Sequence, residues 1–224
     1  MDLARLSLQE QAIVALAALI LFTSFALLAQ SRLLAIVKTF AWQGALVALT
    51  TALVGYATRS PHLYVSALIT LALKALFVPW LLYRLIHRFK LLREQETLVH
   101  SGTVLLLGTA LVIFSYHVAL PIEQLAQSST RPVIAVSLAQ VLLGMLMLIT
   151  RGKAVSQVVG FMAIENGLFF AAVAATHGMP MIVELGAAFD VLVAAVIFGV
   201  FFFHIRDSID SLDVDQLHRL SETE

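Results

Sequence analysis

The sequence contains no cysteine and little charge. Only 12% of its residues are charged, against about 25% in a typical soluble domain. The absence of cysteine excludes disulfides, cysteine-ligated iron–sulfur clusters and a thiol nucleophile. The formal net charge is zero, so no basic field favours nucleic acid as a partner.

The sequence is rich in apolar residues. Of the 224 residues, 60% are hydrophobic, and the chain contains seven runs near the length of about 20 residues that a membrane-spanning helix needs. Continuous apolar runs favour helices over the alternating pattern of a membrane barrel. We therefore predict an all-α, multi-pass integral membrane protein with spans at Ser7–Ala29, Leu33–Ala57, Leu63–Ile86, Gly102–Leu120, Val133–Thr150, Ala154–Thr176 and Met179–Ile205.

Basic residues are concentrated on one side of these spans. One set of alternate connections carries ten of the 14 lysines and arginines, the other set carries three, and Lys74 lies inside a span. By the positive-inside rule the richer side is cytoplasmic. The N-terminus is therefore expected outside and the C-terminus in the cytoplasm, and this topology requires an odd number of spans.

The chain divides by composition. Residues 1–130 are expected to form four helices, with an amphipathic cytoplasmic linker at about 84–100 that either docks at the membrane surface or is simply a charged connection. Residues 131–206 are expected to form a compact three-helix unit, whose short connections favour adjacent antiparallel helices. Residues 207–224 are an acidic cytoplasmic tail, and its recurring leucines favour packing on a neighbouring subunit.

Ionisable residues inside the spans are the strongest functional signal, because a charge at membrane depth is costly and marks an ion pathway or a paired structural site. At about 1.5 Å per residue, Glu165, Asp190 and Lys74 all lie near the midplane. Glu184 is shallower and is a candidate access group on the outer side, with His177 in the adjoining loop. Lys74 is either a buried counter-ion of a carboxylate or a member of an ion relay.

Two further features concern these spans. Pro79 follows Lys74 by five residues and deprives the Ala75 carbonyl of its usual donor, so a kink or a bound water is expected near Lys74.

Gly160 and Gly167 favour close helix packing, with a hinge or π-bulge as the alternative.

Candidate cofactor ligands are sparse. The histidines fall near or beyond the predicted interfaces, and His117 lies in a span but close to its outer end. No two of them are expected to face each other at mid-depth, as bis-histidine haem ligation needs. We find no metal motif, phosphate loop or nucleophile–base pattern, and we expect no cofactor, no catalytic residue and no redox centre in this chain.

Particular segments carry a resemblance to known proteins. From about Val133 onward, with Glu165 in Gly160-Phe-Met-Ala-Ile-Glu165-Asn166-Gly167, the chain resembles the three-helix K subunit of respiratory complex I and the C subunit of multisubunit cation/proton antiporters. The whole chain is similar to hydrogenase-4 component E of the formate-hydrogenlyase type. The most specific matches are Lys74-Ala-Leu-Phe-Val-Pro-Trp-Leu-Leu-Tyr-Arg84 and Thr176-His-Gly-Met-Pro-Met-Ile-Val-Glu-Leu-Gly186.

The resemblance implies a membrane-arm subunit of a prokaryotic cell (inner) membrane that couples a redox reaction in partner subunits to proton or sodium movement. Glu165 and Asp190 would then be relay carboxylates, although the family has glutamate at the second position and Glu184 competes with Asp190 for that role. We favour Asp190 for its depth. Asn166, His177 and His117 are secondary candidates.

Two other functions remain open from the sequence. The chain is either an architectural subunit between antiporter-like subunits and a hydrophilic arm, or a stand-alone cation/proton transporter. The partners expected from the resemblance are antiporter-like and hydrogenase-type membrane subunits.

Overall fold

The computed structural model describes residues 7–88, 100–123 and 131–176, and beyond these only 186, 191–193, 195–196 and 199. In this part of the chain every regular element is a helix, as the sequence predicts. They are α1 (Leu8–Ala29), α2 (Leu33–Thr58), α3 (Pro61–Thr70), a π segment (Leu71–Phe77), α4 (Val78–Arg88), α5 (Ser101–Glu123), α6 (Arg131–Thr150) and α7 (Ala154–Thr176).

Six helical stretches among these residues are long and apolar enough to cross a membrane. They correspond to the first six predicted spans. The third span is Pro61–Arg88, which runs through α3, the π segment and α4 without interruption. The seventh predicted span falls almost entirely outside the described residues, and so do the acidic tail and most of the 84–100 linker.

The structure divides into two compact units, Met1–Ala187 and Ala188–Glu224. In the second unit the described residues are helical, with Val193 buried and Val191, Leu192 and Val196 exposed. All further statements concern the first unit.

Helix α2 holds a central position in the first unit. It packs against α1, α3, the π segment, α4 and α7. Buried apolar side chains of α1, α2 and α7 meet in one cluster, among them Ile20, Val47 and Phe170. Since α6 packs on α1, α5 and α7, the polar side chains of α1, α2, α6 and α7 are brought into one interior.

Helices α6 and α7 approach each other closely through glycine. A Cβ atom on Gly144 would lie 2.8 Å from Ile164 Cγ1 and 2.9 Å from the carbonyl oxygen of Gly160. Real Cβ atoms do not come so close, so the two backbones pack at a distance that only small residues permit. This confirms the packing predicted for Gly160, and it confirms that the fifth and sixth spans are neighbours.

Near Pro79, where a kink or a bound water is predicted, the structure has the π segment. Within it the chain pairs over five residues, and at its end the Val78 N–H donates to the Leu73 carbonyl. This wider turn immediately precedes the proline that removes a backbone donor. The perturbation predicted near Lys74 thus takes the form of seven residues of π-helix, with Lys74 in their middle.

Candidate functional site: a buried ion pair

Lys74 and Glu165 form an ion pair between the third and sixth spans. Lys74 Nζ lies 2.7 Å from Glu165 Oε1, and the two side chains are 1% and 9% exposed. Each residue lies about midway along its span. The shared depth predicted from helical rise is therefore realised as direct contact, which the sequence left open.

The helix geometry around Lys74 directs it toward α7. Gly44 of α2 lies against the backbone of Lys74, where an added Cβ would be 3.0 Å from Lys74 Cβ and 3.1 Å from its carbonyl carbon and oxygen. The π segment widens the helix at the same point. Lys74 is therefore fixed by close backbone packing on one side and by its charge partner on the other.

Aromatic and glycine contacts complete the surroundings of the pair. Phe169 lies one turn after Glu165 on α7, and its ring centroid is 5.3 Å from Lys74 Nζ, a distance at which the ring face attracts a cation. Gly186 lies beside both residues, since a Cβ there would be 3.0 Å from Phe169 Cδ2 and 3.9 Å from Glu165 Oε1. Gly186, which follows the predicted candidate Glu184 by two residues in the sequence, is therefore next to the ion pair.

A chain of buried polar side chains leads away from Asn166, the neighbour of Glu165. Asn166 Nδ2 donates to Gln43 Oε1 at 3.4 Å, and Gln43 Nε2 donates to Ser24 Oγ at 2.8 Å. Ser24 Oγ in turn donates to the Ile20 carbonyl at 3.0 Å. All three side chains are buried. The chain connects α7 to α2 and α1 by side-chain hydrogen bonds inside the apolar interior.

Several buried polar atoms near this chain have no hydrogen-bond partner among the described residues. They include the carbonyl oxygens Asn166 Oδ1 and Gln140 Oε1 and the carboxylate oxygen Glu165 Oε2. Gln140 Nε2 donates to the Ala163 carbonyl at 3.4 Å, which places Gln140 beside α7. Buried acceptors of this kind normally bind ordered water or an ion.

Arg151 caps the end of α1 that faces the α6–α7 connection. Its Nη2 atom donates to the Leu28 and Gln30 carbonyls, each at 2.7 Å. Burial lowers the pKa of Arg151, because removing a guanidinium from water disfavours its charged form. The terminal carbonyls of a helix carry partial negative charge and compensate for this cost.

The structure brings together some of the predicted site residues. Lys74, Glu165 and Asn166 lie in one interior, whereas His117 is exposed on α5. Glu184, Asp190 and His177 lie outside the described residues, and their roles stay predictions. Sequence reasoning missed Ser24, Gln43 and Gln140; the available signal was an uncharged polar side chain within an apolar run.

No group of three or more histidine, aspartate or glutamate side chains in the described part of the chain is arranged to hold a metal ion. The arrangement as a whole is an acid–base pair in an apolar interior, adjoining a line of amide and hydroxyl groups. Buried ionisable groups of this kind can bind and transfer protons, or bind a small cation, in the interior of a membrane protein.

The fold and this site define a multi-pass helical membrane protein with an acid–base pair buried between two spans. Over 189 residues the chain is 35% identical to the uncharacterized protein Rv0085 of Mycobacterium tuberculosis, an alignment that covers 84% of this chain and 86% of that protein. The chain belongs to the family of that protein.

Other similar proteins have names that refer to a function. The chain is 26% identical over 155 residues to hydrogenase-4 component E of Escherichia coli K12, covering 69% of this chain and 70% of that protein. The same identity and coverage hold for hydrogenase-4 component E of Shigella flexneri. No family model matches the chain, and no solved structure does so.

Proposed function

We propose that the chain is a membrane subunit of a hydrogenase-type or complex-I-like redox complex, and that its buried ion pair takes part in translocating protons or sodium ions. The observation that carries this proposal is the 2.7 Å contact between Lys74 Nζ and Glu165 Oε1 inside the bundle. The similarity to hydrogenase-4 component E supplies the class of complex.

The chemistry follows from the position of the pair. A charge buried in an apolar interior is stable only while it is compensated. When a proton binds Glu165, Lys74 loses the negative charge of that carboxylate, and the change favours release of a proton elsewhere or movement of a helix. The contact distance also permits direct transfer, in which the ammonium group gives a proton to the carboxylate and becomes a neutral amine.

The remaining members of the relay are proposed from the sequence. Asp190 would continue the pathway from the pair, and Glu184 with His177 would open it toward the outer side. A Cβ added to Gly186, two residues after Glu184 in the sequence, would lie 3.9 Å from Glu165 Oε1, and this supports including Glu184 in the proposed relay. The redox chemistry would belong to hydrogenase-type partner subunits, and antiporter-like subunits would adjoin this chain.

If the chain is instead an architectural subunit, the same ion pair contributes only to the structure of the protein. A buried ion pair is often no more stabilising than apolar residues of similar volume, yet the loss of one member costs about 3–5 kcal/mol. Under that alternative, removing both charges together restores both the stability of the protein and the function of its complex. Under the proposed function it restores stability but not ion movement.

The test therefore compares three variants in the whole complex, reconstituted into vesicles with a pH-sensitive dye. Glu165→Gln and Lys74→Met each remove one charge, and the double variant removes both. We expect assembly, judged by co-purified subunits, in all three, and loss of redox-driven acidification in all three. Acidification at the wild-type rate in the assembled double variant would overturn the role in translocation.

Two further measurements decide the class of complex. Affinity purification of the tagged chain in mild detergent should bring down a nickel–iron hydrogenase-type subunit and antiporter-like membrane subunits. The purified chain alone in liposomes should show no cation-driven proton flux. A flux from the isolated chain, without co-purifying subunits, would favour a stand-alone transporter.

A further inference from the structure

A narrow crevice runs between α1, α6 and α7, beside the polar chain. Ser24 and Gln140 are its two polar lining residues, and Leu28, Leu143 and Met147 are among its apolar ones. Ser24 is also the end of the chain that begins at Asn166. The crevice therefore opens onto the line of hydrogen bonds that adjoins Glu165.

The other end of the crevice lies at Arg151. The Leu28 carbonyl accepts from Arg151 Nη2 at 2.7 Å, and the Met147 carbonyl accepts from the Arg151 N–H at 3.1 Å. Arg151 directly follows α6, in a connection that the distribution of basic residues places in the cytoplasm. Crevice and polar chain together thus run from the cytoplasmic end of α6 to the neighbourhood of the ion pair.

Leu28 of α1 and Leu143 of α6 both line the crevice. A Cβ atom on Gly108 of α5 would lie 3.2 Å from both Leu28 Cδ1 and Leu143 Cδ2, so the tips of both side chains lie beside the same glycine. In this arrangement the crevice is narrower than a water molecule. Apolar constrictions of this kind exclude water when closed and admit it when their walls separate slightly, which is how hydrophobic gates act in channels.

The polar groups beyond the leucines are suited to hold water. Gln140 Oε1 and Asn166 Oδ1 are buried carbonyl oxygens without a hydrogen-bond donor in the described part of the chain. Water is the common donor to such groups. Amides do not titrate at neutral pH, so these side chains would orient a file of water along which protons pass, each water accepting one proton and releasing another.

We propose that Leu28 and Leu143 form a hydrophobic gate, and that water entering past it from the Arg151 side carries protons along Ser24, Gln43 and Asn166 to Glu165. This inference rests on the proposed function for its purpose, but hydration of the route can be measured separately. The ligand of the new site is water, and the gate controls its access.

The cysteine-free sequence allows the route to be probed with single cysteines. In membrane vesicles containing the full chain, Ser24→Cys is treated with a membrane-impermeant, cationic methanethiosulfonate reagent. Ala17→Cys is the matched control, because Ala17 is buried on α1 within the apolar cluster. Gly152→Cys, in the exposed α6–α7 connection, marks the face to which the reagent is applied.

The thiolate is the reactive form, and each unit by which burial raises a thiol pKa lowers the thiolate fraction tenfold. We expect Ser24→Cys to react at least about tenfold faster than Ala17→Cys, from the same face as Gly152→Cys. Equal rates at the two positions, or reaction of Ser24→Cys from the opposite face, would overturn the route.

The gate is tested by adding Leu28→Ala to the Ser24→Cys variant, with Leu16→Ala as the control for a buried leucine of α1 that does not line the crevice. We expect Leu28→Ala alone to accelerate labelling severalfold. The milder Leu28→Val and Leu143→Val substitutions repeat the test if Leu28→Ala fails to fold. Acceleration by Leu16→Ala to the same extent, or by none of the variants, contradicts the gate.

The outcomes separate the two proposals. If Glu165→Gln abolishes ion movement but Ser24→Cys does not label, the proposed function stands and the route is wrong. If Ser24→Cys labels as expected while Glu165→Gln leaves ion movement intact, the crevice admits water that does not serve translocation, and the inference is overturned as an ion route.

Discussion

Gly44 and Lys74 pack so closely that an added Cβ on Gly44 would lie 3.0 Å from Lys74 Cβ and 3.1 Å from the Lys74 carbonyl carbon and oxygen. The neighbouring residue on α2, Gln43, accepts a hydrogen bond from Asn166. Two consecutive residues of α2 thus contact residues on both sides of the ion pair, Lys74 itself and the residue that follows Glu165. Helix α2 sets the position of the pair without contributing a charge to it.

Gly44→Ala should therefore displace the π segment from α2. The contacts are with the Cβ atom and two backbone atoms of Lys74, none of which can rotate away, so we expect a loss of about 1–3 kcal/mol of stability from overpacking. Thermal unfolding in detergent measures the loss. Gly102→Ala is the control, because the nearest atom to an added Cβ there is His100 Cδ2 at an ordinary 3.6 Å. Equal stability of the two variants would show that α2 and the π segment are free to separate.

The ion pair should behave non-additively. Glu165→Gln removes the carboxylate that faces the buried ammonium group of Lys74, and Lys74→Met removes the ammonium group that faces Glu165. Each single change is expected to lower the free energy of unfolding by about 3–5 kcal/mol, and the double variant by clearly less than the sum. A double-mutant cycle on detergent-solubilised protein gives the coupling. Additive losses would mean that the two charges do not compensate each other.

The Gln43–Asn166 contact should also show coupling. Gln43→Leu removes the acceptor of Asn166 Nδ2 and the donor to Ser24 Oγ. A buried donor left without an acceptor costs about 1–3 kcal/mol. Adding Asn166→Leu removes the stranded amide and should recover part of the loss. No recovery in the double variant would indicate that the 3.4 Å contact contributes little, and that the shorter bond to Ser24 accounts for the effect.

Arg151 should stabilise the junction of α1 with the α6–α7 connection. Arg151→Ala removes both hydrogen bonds to the Leu28 and Gln30 carbonyls, and bonds from a charged donor contribute about 1.5–3 kcal/mol each. We expect increased proteolysis at residues 30–32 and a lower unfolding temperature. Arg84→Ala is the control, since Arg84 is exposed and rests on Trp80 with 5.5 Å to the ring centroid, an arrangement that contributes about 0.5–1 kcal/mol. Similar losses in both variants would contradict the capping role.

Much of the architecture follows from the sequence. Apolar runs of membrane-spanning length predict helices because backbone groups in lipid must be satisfied within the segment, and six of the seven predicted spans coincide with described helices. Glycine spacing also predicts the close contact of α6 and α7 at Gly160. These features depend on local composition and on the membrane as a solvent.

The candidate site is predicted only in part. Helical rise predicts the same membrane depth for Lys74 and Glu165, but a shared depth does not show which helices are in contact. The polar residues Ser24, Gln43 and Gln140 were missed because an uncharged amide or hydroxyl costs less in an apolar span than a charge does, and stands out less. Asp190, Glu184 and His177 remain predictions, since they lie outside the described residues.

The sequence by itself determined which segments are helices, and it determined that two charges lie at the middle of two of them. The tertiary structure decided that these charges meet. Residues 74 and 165 are far apart in the chain, and their contact depends on the rotation of each helix about its own axis. That rotation is set by close packing at Gly44, by the π segment and by the hydrogen bond between Asn166 and Gln43. Such contacts form between distant segments, and no local pattern in either segment specifies them.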